Sequence, residues 1–126
     1  MADVVYLVTD MLFTSKIREV AKQVGVSVQG TRDVAGLAAA AAGGAKLVIV
    51  DLRLPVAIEA LARLGADAAT RDIPSVGFID HEKTDVMDEA RTRGCGQVMA
   101  KGQFATALPK LLSAIAASAA SPPPSA

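Results

Sequence analysis

Five short runs of apolar, mostly β-branched residues recur along the chain, and a stretch with helical periodicity follows each one. The predicted strands cover residues 4–8, 26–28, 46–50, 75–79 and 97–99. The predicted helices cover residues 11–24, 34–42, 55–64, 84–93 and 104–117. Strands that alternate with helices pair in parallel, with the helices covering both faces of the sheet. We therefore predict an α/β three-layer sandwich with a five-stranded parallel sheet in the order 2-1-3-4-5.

The length of 126 residues suits one domain with its own hydrophobic core. We assign residues 1–117 to that domain. Residues 118–126 contain only Ala, Ser and Pro, including three consecutive prolines. Such a segment has little apolar surface to bury, so we predict a disordered tail.

Charge and composition argue against several classes of function. Thirteen basic and thirteen acidic residues give a net charge of zero, and aromatic residues make up only 3% of the chain. Neither a nucleic acid nor an anionic membrane is therefore an expected partner. The N-terminus lacks a secretion signal, and the apolar runs are too short or too interrupted to span a bilayer. With a single cysteine excluding an internal disulfide, these features predict a cytoplasmic protein.

Residues that can carry chemistry follow four of the five predicted strands. Asp10, Asp51 and Asp80 follow strands one, three and four, and Lys101 follows strand five. The carboxyl ends of parallel strands meet at one rim of the sheet, so we expect these residues to lie close together. Two carboxylates can hold Mg²⁺, and one of them can then attack a phosphoryl donor. A nearby lysine can pair with the phosphoryl oxygens.

Two segments resemble the receiver domain of two-component response regulators, which has the flavodoxin-like fold. Residues 47–55 (LVIVDLRLP) resemble the receiver's third strand, with its phosphoacceptor aspartate and a proline four positions later. Residues 94–104 (GCGQVMAKGQF) resemble its fifth strand and the lysine that follows. The resemblance implies that Asp51 is the candidate phosphoacceptor. It also implies that Asp10 and Asp51 are the metal ligands and that Lys101 is the charge partner.

The chain also departs from the receiver pattern. Thr9 replaces one of two acids after strand one, and Ile79 or Asp80 stands where receivers place a hydroxyl residue. Val98 replaces an aromatic residue on strand five, and Gly102 replaces a proline. The hydroxyl and aromatic residues normally relay phosphorylation to the output surface. We therefore predict a degenerate receiver, or pseudo-receiver.

The leading interpretation is a stand-alone, non-enzymatic signalling module that needs no cofactor and no obligatory phosphorylation. Its partner would be an unidentified signalling protein, either a histidine kinase or an effector. The resemblance places the contact region on these residues: Val86, Met87, Val98, Phe104, Leu108, Leu111 and Leu112. The alternative is a phosphorylatable response regulator that uses Mg²⁺ and a histidine kinase. A flavodoxin-like enzyme or nucleotide binder is a third alternative, which the absence of a G-x-G-x-x-G motif disfavours.

Two side chains near the rim, Arg53 and Lys101, allow more than one arrangement. Arg53 is expected to be solvated; alternatively, it folds back and neutralises Asp10 and Asp51 in place of a metal. Lys101 is expected either to hold Asp51 or to form a salt bridge with Asp80. Cys95 is expected to be a small buried residue without a redox role.

Overall fold

The structure is a computed structural model that describes residues 2–120. The strands are β1 Val4–Leu7, β2 Val28–Thr31, β3 Leu47–Asp51, β4 Ser75–Ile79 and β5 Gln97–Ala100. The helices are α1 Met11–Val24, α2 Val34–Ala42, α3 Ala57–Ala66, α4 Thr84–Thr92 and α5 Lys101–Ala120. All strand pairs are parallel and the sheet order is β2-β1-β3-β4-β5, which confirms the predicted fold class.

The sheet separates two apolar clusters. One lies beneath α1 and α5, and the other lies beneath α2, α3 and α4. The three central strands are buried along their whole length, as expected for parallel strands covered on both faces. Among residues 2–120, no helix combines the length and hydropathy that a membrane-spanning segment requires.

Local sequence signals fix the ends of the first helix. The Asp10 side chain accepts hydrogen bonds from the backbone N–H groups of Leu12 and Phe13, so it caps α1. Gly25 ends the helix in the left-handed conformation, with φ of 79°. Asp10 thus begins α1 at the same rim where β1 ends.

Three elements, β2, α3 and α5, differ from the predicted bounds by two residues or more. The edge strand β2 begins at Val28 and not at residue 26, because an edge strand carries exposed polar residues that hydropathy does not reveal. Helix α3 begins at Ala57, since residues 53–56 form turns that include Pro55. Helix α5 begins at Lys101, immediately after β5, and not at Phe104.

Helix α5 continues to Ala120, three residues beyond the predicted domain boundary at residue 117. The rest of the predicted tail, residues 121–126, lies outside the described residues.

Candidate functional site

The four residues singled out in the sequence all lie at the carboxyl rim of the sheet. Asp51 is the last residue of β3, and Asp80 directly follows β4. Asp10 precedes α1, and Lys101 is the first residue of α5. The rim divides into two ion-pair groups, one centred on Arg53 and the other formed by Asp80 and Lys101.

Arg53 holds both oxygens of the Asp51 carboxylate. Its Nε donates to Oδ1 at 2.9 Å, and its Nη2 donates to Oδ2 at 2.8 Å. The backbone N–H of Arg53 also donates to Oδ1, at 3.0 Å. Asp51 is only 2% exposed, so this two-point contact provides the buried carboxylate with a charged partner. The same contact raises the pKa of the guanidinium above its usual value.

Asp10 joins the first group through the same guanidinium. Its Oδ2 lies 3.4 Å from Arg53 Nη2, while its Oδ1 accepts from the N–H groups of Leu12 and Phe13. The hydrogen bond from Phe13, followed by those from Leu12 and the charge of Arg53, lowers the pKa of Asp10. One arginine therefore links the start of α1 to the end of β3.

Aromatic rings support the Arg53 guanidinium. Its Cζ lies 5.5 Å from the centroid of the Phe13 ring and 5.7 Å from that of Phe78. These distances are within the range of a cation–π interaction. Phe104 stacks on Phe78 with a centroid separation of 4.4 Å, so all three phenylalanines of the chain form one cluster. The sequence analysis did not predict this cluster, because the three phenylalanines are far apart along the chain.

Asp80 and Lys101 form the second group, with Lys101 Nζ 2.6 Å from Asp80 Oδ1. Both side chains are well exposed, at 36% and 41%. The contact with Lys101 lowers the pKa of Asp80. Asp80 is brought to Lys101 because Ile79 is paired with Ala100 in the sheet, so the residues that follow are neighbours. Lys101 therefore pairs with Asp80, and Arg53 pairs with Asp51.

The expectation that Arg53 is solvated is wrong, and the alternative arrangement is the one observed. The chain turns back directly after β3, since the Arg53 N–H donates to Asp51 Oδ1 and the Leu54 N–H donates to the Asp51 carbonyl. This turn directs the arginine side chain over the rim. Its side chain is 29% exposed.

The observed arrangement does not fit a magnesium ion. Mg²⁺ requires oxygen ligands with free lone pairs in octahedral geometry. Both Asp51 oxygens accept hydrogen bonds from Arg53, and the Asp10 oxygens are occupied by α1 and Arg53. Among residues 2–120, no group of three or more His, Cys, Asp or Glu side chains could hold a metal. The guanidinium lies between the two carboxylates that the resemblance assigns to the metal.

The positions of the expected relay carry no hydroxyl or aromatic side chain: they are Ile79 or Asp80 at the end of β4 and Val98 on β5. Ile79 ends β4 and is buried, and Val98 on β5 is half-buried against the cluster beneath α2, α3 and α4. Of the expected contact region, Phe104, Leu108 and Leu112 are fully buried in the core. The half-buried members are Val86, Met87, Val98 and Leu111.

Cys95 lies in the core beneath α4. Its Sγ–H donates to the Gln97 carbonyl at 3.3 Å, and burial raises the pKa of the thiol. A raised pKa keeps the sulfur in the unreactive thiol form.

Comparison with known proteins identifies the fold. A receiver domain from Rhodospirillum rubrum is 20% identical, with 95% of this chain and 96% of that chain covered and a TM-score of 0.73. A response regulator from Hahella chejuensis is 18% identical, with 91% and 95% covered and a TM-score of 0.77. No protein-family model matches the chain, and no curated protein is significantly similar in sequence.

A third similar structure is the receiver domain of a sensor histidine kinase from Pseudomonas aeruginosa. It is 16% identical, with 91% of this chain and 97% of that chain covered and a TM-score of 0.75. That receiver holds a magnesium ion in its active-site cleft. The fold of this chain is thus the receiver fold of response regulators, at a level of identity that defines the architecture alone.

Proposed function

We propose that the protein is a pseudo-receiver: a non-enzymatic, cytoplasmic signalling module that binds a partner protein without obligatory phosphorylation. The single observation that carries this proposal is the position of Arg53 between Asp51 and Asp10. A built-in cation there neutralises the acidic rim, which is the task of the metal in a phosphorylatable receiver.

The arginine opposes phosphorylation in two ways. First, each Asp51 oxygen already accepts a charge-assisted hydrogen bond, which stabilises the carboxylate anion and makes it a weaker nucleophile. Second, a metal must displace a guanidinium that is also supported by two aromatic rings. A phosphoryl group can shift the conformation only through differential affinity for two states. The usual relay positions, Ile79 or Asp80 and Val98, supply neither the hydroxyl nor the aromatic group that would provide it.

The surface next to Arg53 supports a role in protein binding. Met11 is 82% exposed and Leu12 is 74% exposed, at the start of α1, and Val56 is exposed in the loop before α3. These are the large apolar side chains that residues 2–120 leave exposed, and all three lie near the carboxyl rim. Exposed apolar side chains at this end of the sheet are available for contact with a partner protein.

Intact-mass measurement after incubation with a small phosphodonor and Mg²⁺ tests the proposal. We expect no added phosphate on the wild-type chain under conditions that fully label a phosphorylatable receiver. Asp51→Asn is the control for the site of any labelling. An added phosphate that requires Mg²⁺ and disappears in Asp51→Asn contradicts the proposal.

The second candidate function is a phosphorylatable response regulator, favoured by the presence of Asp10, Asp51 and Lys101 at one rim. In that case Arg53 must leave the carboxylates when Mg²⁺ binds. Titration of Mg²⁺ into the wild type and Arg53→Gln, followed by the amide resonances of residues near Asp51, separates the two functions. We expect Mg²⁺ to bind more tightly to Arg53→Gln. Equal millimolar affinities for both proteins favour the second function.

A further inference from the structure

A cleft of about 560 Å³ lies on the opposite side of α1 from α5, where α1 passes over the carboxyl ends of β1 and β2. We call it the edge cleft. Arg18 on α1 and Arg32 after β2 both line it, together with Tyr6, Thr9 and Gly30. No acidic residue lines it. Two positive charges thus border one cavity without a compensating carboxylate in its walls.

The acidic residues nearest in sequence are engaged elsewhere. Asp10 contacts Arg53 and the first N–H groups of α1. Asp33 accepts a hydrogen bond of 2.6 Å from the Gly36 N–H and caps α2. Glu19 lines a different cleft, between α1 and α5. Within residues 2–120, neither edge-cleft arginine forms an ion pair.

The remaining walls consist of a buried tyrosine and an exposed apolar side chain. A Cβ atom at position 30 would lie 3.0 Å from the Tyr6 ring, so Gly30 lets the edge strand approach the ring closely. Met11 lines the same cleft and is largely exposed. Tyr6 is buried and forms the floor of the cleft, so an apolar group can contact Met11 while an anionic group reaches the arginines.

We propose that the edge cleft binds a small phosphate-bearing molecule of about the size of a mononucleotide. Guanidinium groups bind phosphate oxygens through paired, charge-assisted hydrogen bonds. The volume lies within the range of about 300–1,000 Å³ that is usual for small-molecule sites. Binding uses side-chain cations and needs no glycine-rich loop, and it is independent of whether Asp51 accepts a phosphoryl group.

AMP, adenosine and inorganic phosphate are suitable probes, titrated into the full chain and followed by the amide resonances of Arg18, Gly30 and Arg32. We expect AMP to shift these resonances saturably and adenosine to bind at least about tenfold more weakly, since it lacks the charged group. Arg18→Gln and Arg32→Gln should each weaken AMP binding about tenfold. Both residues are exposed, so the variants should fold normally, which their thermal unfolding checks.

Lys22→Gln is the matched control, because Lys22 is an exposed cation on the same helix that does not line the cleft. AMP affinity should be unchanged in this variant. Equal AMP binding by all three variants overturns the proposal, as does the absence of saturable binding of AMP and phosphate at millimolar concentration. Inorganic phosphate that binds as tightly as AMP supports the arginine site and overturns a contribution from Met11.

Discussion

The two ion-pair groups at the carboxyl rim have opposite physical characters. The Arg53 group contains a buried carboxylate, Asp51, which is held in two-point geometry by a guanidinium beside aromatic rings, whereas the Asp80–Lys101 pair is a single contact between two exposed side chains. Removing one partner of a buried pair leaves an uncompensated charge, while an exposed pair is weakened by solvent and salt. Burial of the carboxylate, and not the number of charges, therefore decides which ion-pair group contributes more to the stability of the rim.

The largest effect is expected for Arg53→Met. This change leaves Asp51 buried without its cation, so we expect the free energy of unfolding at neutral pH to fall by about 3 kcal/mol, the lower end of the range for buried pairs. Urea denaturation measures the loss. The control is Lys101→Met, which removes a cation from the exposed pair. Similar losses of unfolding free energy in Arg53→Met and Lys101→Met would contradict the claim that burial makes the Arg53 group the stronger one.

A smaller effect is expected for Phe13→Leu, which keeps a large apolar side chain but removes the ring beside Arg53. Its stability should fall by about 1 kcal/mol. A double-mutant cycle with Arg53→Met should give a coupling energy of about 0.5–1 kcal/mol, as expected for a cation–π contact. Phe104→Leu alters the same cluster without contacting the guanidinium, so its coupling to Arg53 should be close to zero.

The stability that Asp10 contributes should depend on pH. Hydrogen bonds from Phe13 and Leu12 and the charge of Arg53 lower the pKa of Asp10 in the folded state. The stabilisation is therefore fully present above the ordinary carboxyl pKa and is lost as the pH falls through the lower, folded-state value. Asp10→Asn still caps α1, because asparagine is an equally good N-cap. The stability difference between this variant and the wild type should shrink below about pH 4. A difference that is constant from pH 7 to 2.5 disproves the assignment.

The smallest effect is expected for Asp80→Asn and Lys101→Met. Both side chains are well exposed, so we expect thermal unfolding in 0.15 M salt to be unchanged within error. A clear destabilisation in both variants, comparable to that of Arg53→Met, would show that the second group is not a solvated pair.

The sequence predicted the sheet and the rim for physical reasons. Buried parallel strands are continuous apolar runs, and the topology brings their carboxyl ends together, so Asp10, Asp51, Asp80 and Lys101 could be placed at one rim. The edge strand β2 was misplaced because its exposed residues carry no apolar pattern. The bounds of β2 follow from its pairing with β1, and the residues of β2 alone do not reveal that pairing.

The partners within the rim could not be predicted. Whether Arg53 points into solvent or over Asp51 depends on a turn and on side-chain torsions that residue spacing does not determine. The rings that support it, Phe13 and Phe78, are far apart in sequence and meet only through packing of α1 on the sheet. The sequence therefore identified the charged residues and left open which cation meets which acid.

The covalent attachment of Arg53 to the loop after β3 has a consequence for how the rim responds to its surroundings. A bound ion exchanges with the medium, so its occupancy follows the free ion concentration and vanishes with a chelator. A guanidinium carried by the polypeptide is present once per molecule at any ionic composition. The local charge beside Asp51 is therefore set at translation and stays constant when divalent ions rise or fall.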